Sequence, residues 1–327
     1  MANLETQYMG LKLKNPIVVA SSGLTNSVEK IRDLENAGVG AVVLKSIFEE
    51  QINNEVGHLV NRKPQKLYHK DEEFIWNYTR NHSIIRHLNL LSEAKKETEI
   101  PIIASINCIT ASEWTAYSKD FENAGADALE LNLFFVPTSS TTSSKTIEQI
   151  YLNVVSEVRK HVKIPVSVKI GFNYTNLLAM AENLTTKGAA ALVLFNRFYE
   201  PDINIEKLEI TTSEILSSPI DYHNSLRWIG LISSQLPNIE IAASTGIHDG
   251  EAVIKQLLAG AQVTHVCSTI YINGVQVIAQ ILSDLSNFMT KNNFEKIEDF
   301  RGLLSYKNIS EPMLFERAQF MKYFSGK

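Results

Sequence analysis

The sequence predicts a (β/α)8 TIM barrel, and two observations lead to that prediction. A short pattern recurs along the chain, in which a helix-like stretch is followed by a glycine and then by an apolar run of strand length, as in LENAGVGAVVLKS and FENAGADALELNL. Glycine is a common left-handed cap just past a helix, and an unbroken apolar run suits a parallel strand that is buried on both faces. Eight such runs alternate with helix-favouring segments, which favours a closed barrel over an open sheet.

The predicted elements cover almost the whole chain. In order, the strands lie in NPIVVAS, GAVVLKS, IPIIASI, ALELNL, IPVSVKI, AALVLFN, NIEIAAS and VTHVCST. Helices are predicted over residues 27–37, 112–124, 145–161, 176–187, 223–235, 249–259 and 274–291. Residues 46–99 are long for one strand–helix unit and predict an inserted loop region after the second strand. We expect one domain over residues 1–327, with a barrel core at about 10–305 and a C-terminal helical extension at 306–327.

Composition excludes several classes of protein. The chain has 327 residues, a formal net charge of -5 and 44% hydrophobic residues, so it lacks the basic balance of a nucleic-acid surface. Its two cysteines cannot supply a Cys-rich iron–sulfur or zinc site, and no histidine pair has metal-ligand spacing on a helix, so we expect no metal. The segment MANLETQYMG has no signal-peptide pattern, and the apolar runs are far shorter than the ~20 residues of a membrane helix. We expect a cytoplasmic protein without a membrane or nucleic-acid partner.

Polar residues stand at the end of every predicted strand, where catalytic residues of such barrels lie. In strand order they are Ser21 and Ser22, Lys45, Ser105 and Asn107, Asn132, Lys169, Asn196, Ser244 and Thr245, and Cys267 and Ser268. Strands that simply become polar as they reach solvent would explain the serines and threonines. That explanation suits Lys45 and Lys169 less well, because each directly follows a buried apolar strand. The two lysines favour a site that holds an anionic ligand.

The seventh and eighth strands predict where the anionic group would lie. Ser244, Thr245 and Gly246 follow a strand and precede a helix that begins near Asp249. Backbone N–H groups in such a turn can hold a phosphate, and barrels often place a phosphate site beyond these two strands. A Thr-Gly turn alone is a weak signal, and its position in the barrel strengthens it.

Several of these segments resemble class 1 dihydroorotate dehydrogenases and the related flavin domain of dihydropyrimidine dehydrogenase, over nearly the whole chain. NPIVVASSGLTNS resembles the family's NP-x-x-x-(A/G)-S-G, and AGVGAVVLKSI its A-G-x-G-A-x-x-x-K-(S/T). GADALELNL is similar to G-A-D-A-L-E-L-N-L-S-C-P up to Leu133, and IPVSVKI to P-(V/L)-x-V-K-(L/I). LSSPIDYHNSLRWI and the stretch from ASTGI to VCSTI resemble the family's L-S-G-P and G-T-G-G-I segments.

The resemblance implies an FMN site and gives roles to residues at the strand ends. Implied cofactor-binding residues are Ala20, Ser21, Ser22, Lys45, Asn107, Asn132, Lys169, Asn196, Ser218, Thr245, Gly246 and Ser268. The catalytic set is Lys45, Asn132 and Lys169, with Lys169 stabilising negative charge on the reduced flavin. Substrate would contact Asn132, Asn196 and Arg197. Tyr199 and Glu200, on the same loop as Arg197, are further candidates for the substrate pocket, balanced evenly against a surface role.

The chain departs from the family pattern at the proton-transfer position. The Cys or Ser base of the family stands three residues after the Asn of E-L-N, and Phe135 occupies that position here. The family's Pro-Asn that follows is Val136-Pro137. A hydroxyl from residues 138–141 is an alternative base, although a solvated loop is the plainer interpretation. The two thiols, Cys108 and Cys267, are more often packing groups than nucleophiles.

Two classes of function remain open at this point. The first is an FMN-dependent oxidoreductase acting on the CH–CH group of a small dihydropyrimidine-like molecule, within pyrimidine metabolism. Its electron acceptor would be soluble or carried by another chain, because the sequence has no iron–sulfur motif. The second is a flavin-binding module without dehydrogenase turnover. A phosphate-sugar barrel enzyme without flavin is disfavoured by the match through Asn132 and Lys169. A homodimer is also expected from the resemblance.

Overall fold

The computed structural model describes residues 2–50, 69–108, 111–197 and 200–316. In chain order its strands are β1 (Thr6–Tyr8), β2 (Leu11–Leu13), β3 (Ile17–Val19), β4 (Ala41–Val43), β5 (Ile47–Phe48), β6 (Ile102–Asn107), β7 (Ala128–Asn132), β8 (Val166–Ile170), β9 (Ala191–Leu194), β10 (Pro201–Asn204), β11 (Glu209–Thr212), β12 (Glu240–Ser244) and β13 (Val263–Val266). The helices are α1 (Val28–Asn36), α2 (His69–Glu97), α3 (Ala111–Asn123), α4 (Ser144–His161), α5 (Leu177–Thr186), α6 (Tyr222–Gln235), α7 (Gly250–Ala259), α8 (Ser268–Asn273) and α9 (Val277–Lys291).

Eight parallel strands close into a barrel. The neighbours run β4, β3, β13, β12, β9, β8, β7 and β6, and β4 pairs with β6 to close the ring. Helices follow the strands along the chain, which is the order of a (β/α)8 barrel. The eight strand segments expected from the sequence are the eight barrel strands, so the predicted fold is confirmed.

The glycine pattern has a direct structural cause. Gly38, Gly125, Gly188 and Gly260 all have positive φ, between +97° and +119°, where side chains with a Cβ are strained. Helix α7 shows the arrangement in full. The Asp249 side chain accepts a hydrogen bond from Ala252 N at its start, and left-handed Gly260 ends it. The chain then turns directly into buried β13.

The β1–β2 hairpin closes the amino-terminal end of the barrel. Tyr8, Met9 and Leu13 pack against residues at the starts of the barrel strands, including Ala128 and Ala191. The backbone N–H of Met9 also donates to the Glu240 carboxylate at the start of β12. Because this end is filled, a ligand can enter the barrel only from the carboxyl ends of the strands.

The two expected additions to the barrel are only partly within the described residues. After the second barrel strand, the region 46–99 contains β5 and the long helix α2, and residues 51–68 lie outside the description. The described tail contains a 3-10 turn, Pro312–Phe315, whose Phe315 ring lies against Gly230 of α6. The sequence predicts a helical extension over residues 306–327; residues 306–316 contain turns and this single 3-10 helix, and residues 317–327 lie outside the description. No helix among the described residues has both the length and the apolar character needed to cross a membrane.

Candidate active site at the carboxyl end of the barrel

A cavity of about 510 Å³ lies over the carboxyl ends of the barrel strands, within the range typical of ligand pockets. Nine residues predicted for the site line it: Ala20, Ser21, Ser22, Lys169, Asn196, Arg197, Thr245, Gly246 and Ser268. They come from five separate strand ends, which the barrel closure brings together. We call this space the main cavity.

Lys169 lies in the wall of the main cavity, close to two predicted amides. The residue is only 8% exposed, because it lies next to last in β8, whose five residues are all buried. In the β7–β8 pairing Lys169 lies beside Asn132, and Asn196 Nδ2 donates to Asn132 Oδ1 at 2.8 Å. The barrel therefore places one cationic group and a fixed amide pair on neighbouring strands. A buried cation of this kind is suited to stabilise negative charge on a ligand.

Lys45 and Asn107 lie at the ends of neighbouring strands outside the lining of the main cavity. The Lys45 Nζ lies 4.8 Å from the centroid of the Phe48 ring, and burial lowers the pKa of Lys45. Asn107 is partly buried and pairs with Phe48 where β5 meets β6. Both residues border the part of the chain that leads into residues 51–68.

A chain of hydroxyl groups supports one wall of the main cavity. Ser21 Oγ lies 2.9 Å from Ser46 Oγ, which lies 2.7 Å from Ser105 Oγ. The Ser46 N–H also donates to Ser21 Oγ. Sequence reasoning placed Ser21 and Ser105 at strand ends and missed Ser46, whose only signal was its position directly after Lys45.

Another part of the main cavity is formed by the turn at Thr245 and Gly246. Thr245 and Gly246 both have positive φ, 76° and 79°, and the Gly246 N–H donates to Ser217 Oγ at 3.3 Å. A Cβ on Gly246 would lie 2.7 Å from the carbonyl carbon of Asp221, so only glycine fits at that position. The neighbouring hydroxyls are those of Ser217 and Ser268, 3.0 Å apart.

Ser217, rather than Ser218, belongs to this hydroxyl cluster. Ser217 is buried, its N–H donates to Ser268 Oγ at 2.9 Å, and its Oγ lies 3.1 Å from His248 Nε2. Ser218 is exposed, hydrogen-bonds Asp221 and lines a neighbouring cavity of about 260 Å³. Sequence reasoning missed Ser217 and His248, although Ser217 stands next to the predicted position in LSSP. Burial lowers the pKa of His248, which favours its neutral form.

Arg197 is fixed by the loop that follows the sixth barrel strand. Its Nε donates to Ile215 O at 3.1 Å and its Nη2 to Glu214 O at 2.8 Å. Its Nη1 pairs with the Asp221 carboxylate at 2.8 Å. Each of the three guanidinium nitrogens thus has a protein partner, and the arginine holds residues 214–221 over the cavity edge. Of its predicted neighbours, Glu200 also lines the main cavity, and Tyr199 lies outside the described residues.

Phe135 and the hydroxyl run after it lie away from the main cavity. Phe134, Phe135 and Val136 are 40%, 45% and 59% exposed. They line a separate cavity of about 720 Å³ with Tyr151 and Tyr174, and residues 138–140 line it too. The position that the sequence resemblance assigns to the base therefore carries a half-exposed aromatic ring, on a loop that lines this separate cavity.

The two thiols differ in their position relative to the site. Cys267 lines the main cavity beside Ser22, and burial raises the pKa of its thiol. Cys108 is buried just after β6. A raised pKa keeps the Cys267 thiol protonated and a poor nucleophile, which agrees with a packing role. In the described part of the chain, no group of three His, Cys, Asp or Glu side chains could hold a metal ion.

Below the floor of the main cavity lies a buried layer of polar side chains that sequence reasoning did not identify. Glu130 and His265 are 1% and 2% exposed, and His265 Nδ1 lies 3.8 Å from Glu130 Oε2. Neither residue has a hydrogen-bond partner for its side chain within the described protein. Burial lowers the pKa of His265 to about 3 and raises the pKa of Glu130.

We expect His265→Gln to make folding less sensitive to acid. The folded-state pKa of His265 is about 3, below the ordinary value of 6.5, so the unfolded chain binds a proton that the folded chain rejects. The contribution of the neutral imidazole to the free energy of unfolding is therefore complete above about pH 6.5 and is lost as the pH falls towards 3. The loss is up to about 1.4 kcal/mol for each pH unit in that window. Urea denaturation at pH 7.5 and pH 5.5 should show a smaller loss in the variant. Equal losses in both proteins would contradict this expectation.

Comparison with known proteins agrees with this geometry. The family model described as dihydroorotate dehydrogenase matches residues 3–289. The chain is 27% identical to the catalytic subunit of dihydroorotate dehydrogenase B (NAD(+)) of Thermoplasma volcanium, covering 93% of this chain and 99% of that protein. It is 25% identical to the protein of the same name from Petrotoga mobilis, covering 93% and 100% of the two chains. The match extends over the barrel and all of its strand ends, so the chain belongs to the dihydroorotate dehydrogenase family.

Proposed function

We propose that this chain is an FMN-dependent oxidoreductase that transfers hydride between a small dihydropyrimidine-like substrate and the flavin. The observation that supports it best is the main cavity, which has buried Lys169 in its wall and the left-handed turn at Thr245 and Gly246, our proposed anion site, at another part of its lining. When bound, FMN would supply two-electron hydride chemistry at its ring. Lys169 would stabilise negative charge there, and the amides of Asn132 and Asn196 would orient the substrate.

The donor set of the main cavity fits FMN. The hydroxyls of Ser217 and Ser268 and the turn at Gly246 suit a phosphate, and the small Ala20, Ser21 and Ser22 leave room for a flat ring. In this proposal Ser217 takes the role first given to Ser218. Arg197 contributes by holding residues 214–221 over the cavity, because its guanidinium nitrogens already have partners.

We expect the purified protein to bind FMN, and we expect dihydroorotate to reduce the bound flavin only slowly. Phe135 can neither accept nor donate a proton, and general acid–base catalysis is typically worth about 10²–10⁴-fold in rate. Anaerobic stopped-flow bleaching of the flavin absorbance measures the reduction. Phe135→Cys should accelerate it if the substrate of this chain shares the dihydroorotate geometry, and Phe134→Cys is the matched control on the same loop.

The outcomes separate the candidate functions. A protein without flavin absorbance after reconstitution contradicts the FMN proposal. Fast reduction of the unchanged protein by dihydroorotate would show that Phe135 does not impair the family reaction. If no member of a panel of dihydropyrimidines and enones reduces the flavin, the result supports the second candidate, a flavin-binding module without turnover. The observation that favours this second candidate is the aromatic ring at the base position.

We also propose that electrons leave the flavin to an acceptor that is soluble or carried by another chain. The relatives are named catalytic subunits, a name that implies at least one further subunit in those proteins. Among the described residues, no cluster of His, Cys, Asp or Glu side chains could bind a metal ion. Cytoplasmic localisation remains part of the proposal and is tested by cell fractionation.

Homodimerisation through the β10–β11 hairpin is a further part of the proposal. Ile203 and Ile210 face each other across the two strands and are 61% and 70% exposed, and Ile205 and Leu208 are 80% and 86% exposed. Exposed apolar groups concentrated in this way are typical of an interface. We expect light scattering to give a dimer for the unchanged protein and for Thr211→Asp. Ile203→Asp with Ile210→Asp should give a monomer, and a dimer that persists would place the interface elsewhere.

A further inference from the structure

Glu130 and His265 form an unusual pair in the interior of the barrel. They come from β7 and β13 and meet between the apolar plug at the amino-terminal end and the main cavity. A buried carboxylate or imidazole normally has a hydrogen-bond partner, because leaving it without one costs roughly 1–3 kcal/mol or more. Here all four polar side-chain atoms of the pair lack such partners within the described protein. The barrel thus tolerates two costly groups directly below its site.

The pair is connected to the main cavity by position and by charge. His265 lines the main cavity, although its side chain is fully buried at this point of the wall. Lys169 also lines the cavity, and its charge acts on both Glu130 and His265. From below, the pair is faced by Tyr8 of the β1–β2 hairpin, whose pKa is raised by burial and by Glu130.

The other titratable groups near the pair are less suited to respond to a ligand. Cys267 directly follows the same strand and is affected by the charge of Lys169, but burial keeps its thiol protonated. Glu240, at the closed end, receives the Met9 N–H and acts on Tyr8. The charge that the pair experiences from the direction of the cavity is therefore that of Lys169, together with any charge a ligand brings.

We propose that Glu130 and His265 form a proton-accepting pair, which takes up one proton from solvent when negative charge is placed beside Lys169. The proposal rests on the proposed flavin function, since hydride transfer to a neutral flavin adds one negative charge to the ring. The proton adds to a carboxylate oxygen of Glu130 or a ring nitrogen of His265. No electrons move within the pair and no other bond is broken. Substrate oxidation would then be linked to the uptake of a proton that comes from solvent and is not exchanged with the substrate.

The number of protons taken up determines how the flavin potential varies with pH. For a two-electron couple a tenfold change in equilibrium constant is about 30 mV, so one proton gives about 30 mV per pH unit and two give about 59 mV. We expect the reconstituted protein to show about 59 mV per pH unit between the pKa of the pair with oxidised flavin and its pKa with reduced flavin, and about 30 mV outside that window, while the absorbance of its reduced flavin shows an anionic ring. At least one of the two variants Glu130→Gln and His265→Gln removes the atom that accepts the proton. In that variant the slope of the flavin potential should fall to about 30 mV per pH unit.

Tyr8→Phe is the matched control, because it removes a buried hydroxyl that faces Glu130 but cannot hold the additional proton. Its slope should remain near 59 mV per pH unit. A slope near 30 mV in the unchanged protein, or a slope of 59 mV in all variants, would overturn the proposal. Circular dichroism of each variant checks that it folds.

A second measurement needs neither flavin nor a variant of the pair. In the full-length chain without added flavin, nuclear magnetic resonance of ¹⁵N-labelled histidine and ¹³C-labelled glutamate follows the protonation of His265 and Glu130. We expect Lys169→Met to raise the proton affinity of the pair at least tenfold, because the nearby positive charge disfavours the proton. Identical titrations with and without Lys169 would refute the pair as a charge-responsive acceptor. Absence of flavin binding would contradict only the proposed function.

Discussion

Lys169→Met is expected to lower the rate constant for flavin reduction by substrate by about 10²–10³-fold, the usual effect of removing one preorganised electrostatic group. Methionine has a similar length and remains compatible with the buried position near the end of β8. It removes the positive charge that the wall of the main cavity presents to the ligand. Anaerobic stopped-flow measurement of flavin reduction, with the most active substrate of the dihydropyrimidine panel, gives the rate constant directly.

The matched control for this change is Lys163→Met. Lys163 precedes the same strand and is exposed at the far end of the barrel, so its removal should leave the rate within a factor of two or so. Loss of flavin from Lys169→Met is detected separately by absorbance after gel filtration. A variant that retains flavin and is reduced at the original rate would exclude Lys169 from the chemistry.

Gly246→Ala is expected to abolish flavin binding and to lower the free energy of unfolding by about 3 kcal/mol. The residue has a φ of +79°, which strains a residue with a Cβ by roughly 1–3 kcal/mol. The new methyl group would also lie 2.9 Å from Tyr222 Cα and 2.7 Å from the carbonyl carbon of Asp221, so the start of α6 must move. That movement would displace the loop that places Ser217 beside the proposed phosphate site.

Gly125→Ala separates the effect of backbone strain from the effect of a collision between the new methyl group and its neighbours. Gly125 has a φ of +97° and nothing within 4 Å of its added Cβ, so its substitution introduces backbone strain without a collision. We expect a loss of about 1 kcal/mol by urea denaturation, and flavin binding should be unchanged. If the two alanine variants are destabilised equally, close packing around Gly246 does not matter.

The barrel was predictable from sequence because its signals are local. Each apolar strand run is followed by polar residues, and each of the four pattern glycines marks a helix end with positive φ. Strand ends that are distant in sequence meet whenever the barrel closes, so Lys169, Asn196 and Gly246 could be assigned to one site without knowing any distance. Family resemblance added the choice of ligand, which periodicity cannot supply.

What could not be predicted depends on the direction of single side chains. Ser217 and Ser218 are adjacent, and only the course of the loop decides that Ser217 is buried against Ser268 while Ser218 is exposed. Arg197 stands where a substrate-binding residue is expected, yet its contacts are with residues 214–221, which no sequence pattern pairs with it. The meeting of Glu130 with His265 likewise depends on strand register across the barrel.

The hairpin that fills the amino-terminal end also constrains how the protein is made. Met9 bonds to Glu240, 231 residues further along the chain, and Thr264 donates to Pro16 across the last strand pairing. At about 5–20 residues per second, a ribosome would need on the order of tens of seconds to deliver these partners. During that interval Tyr8 and Leu13 lack Ala242 and Val263, which belong to the apolar cluster that they pack in, so the nascent chain cannot yet seal this end of its barrel.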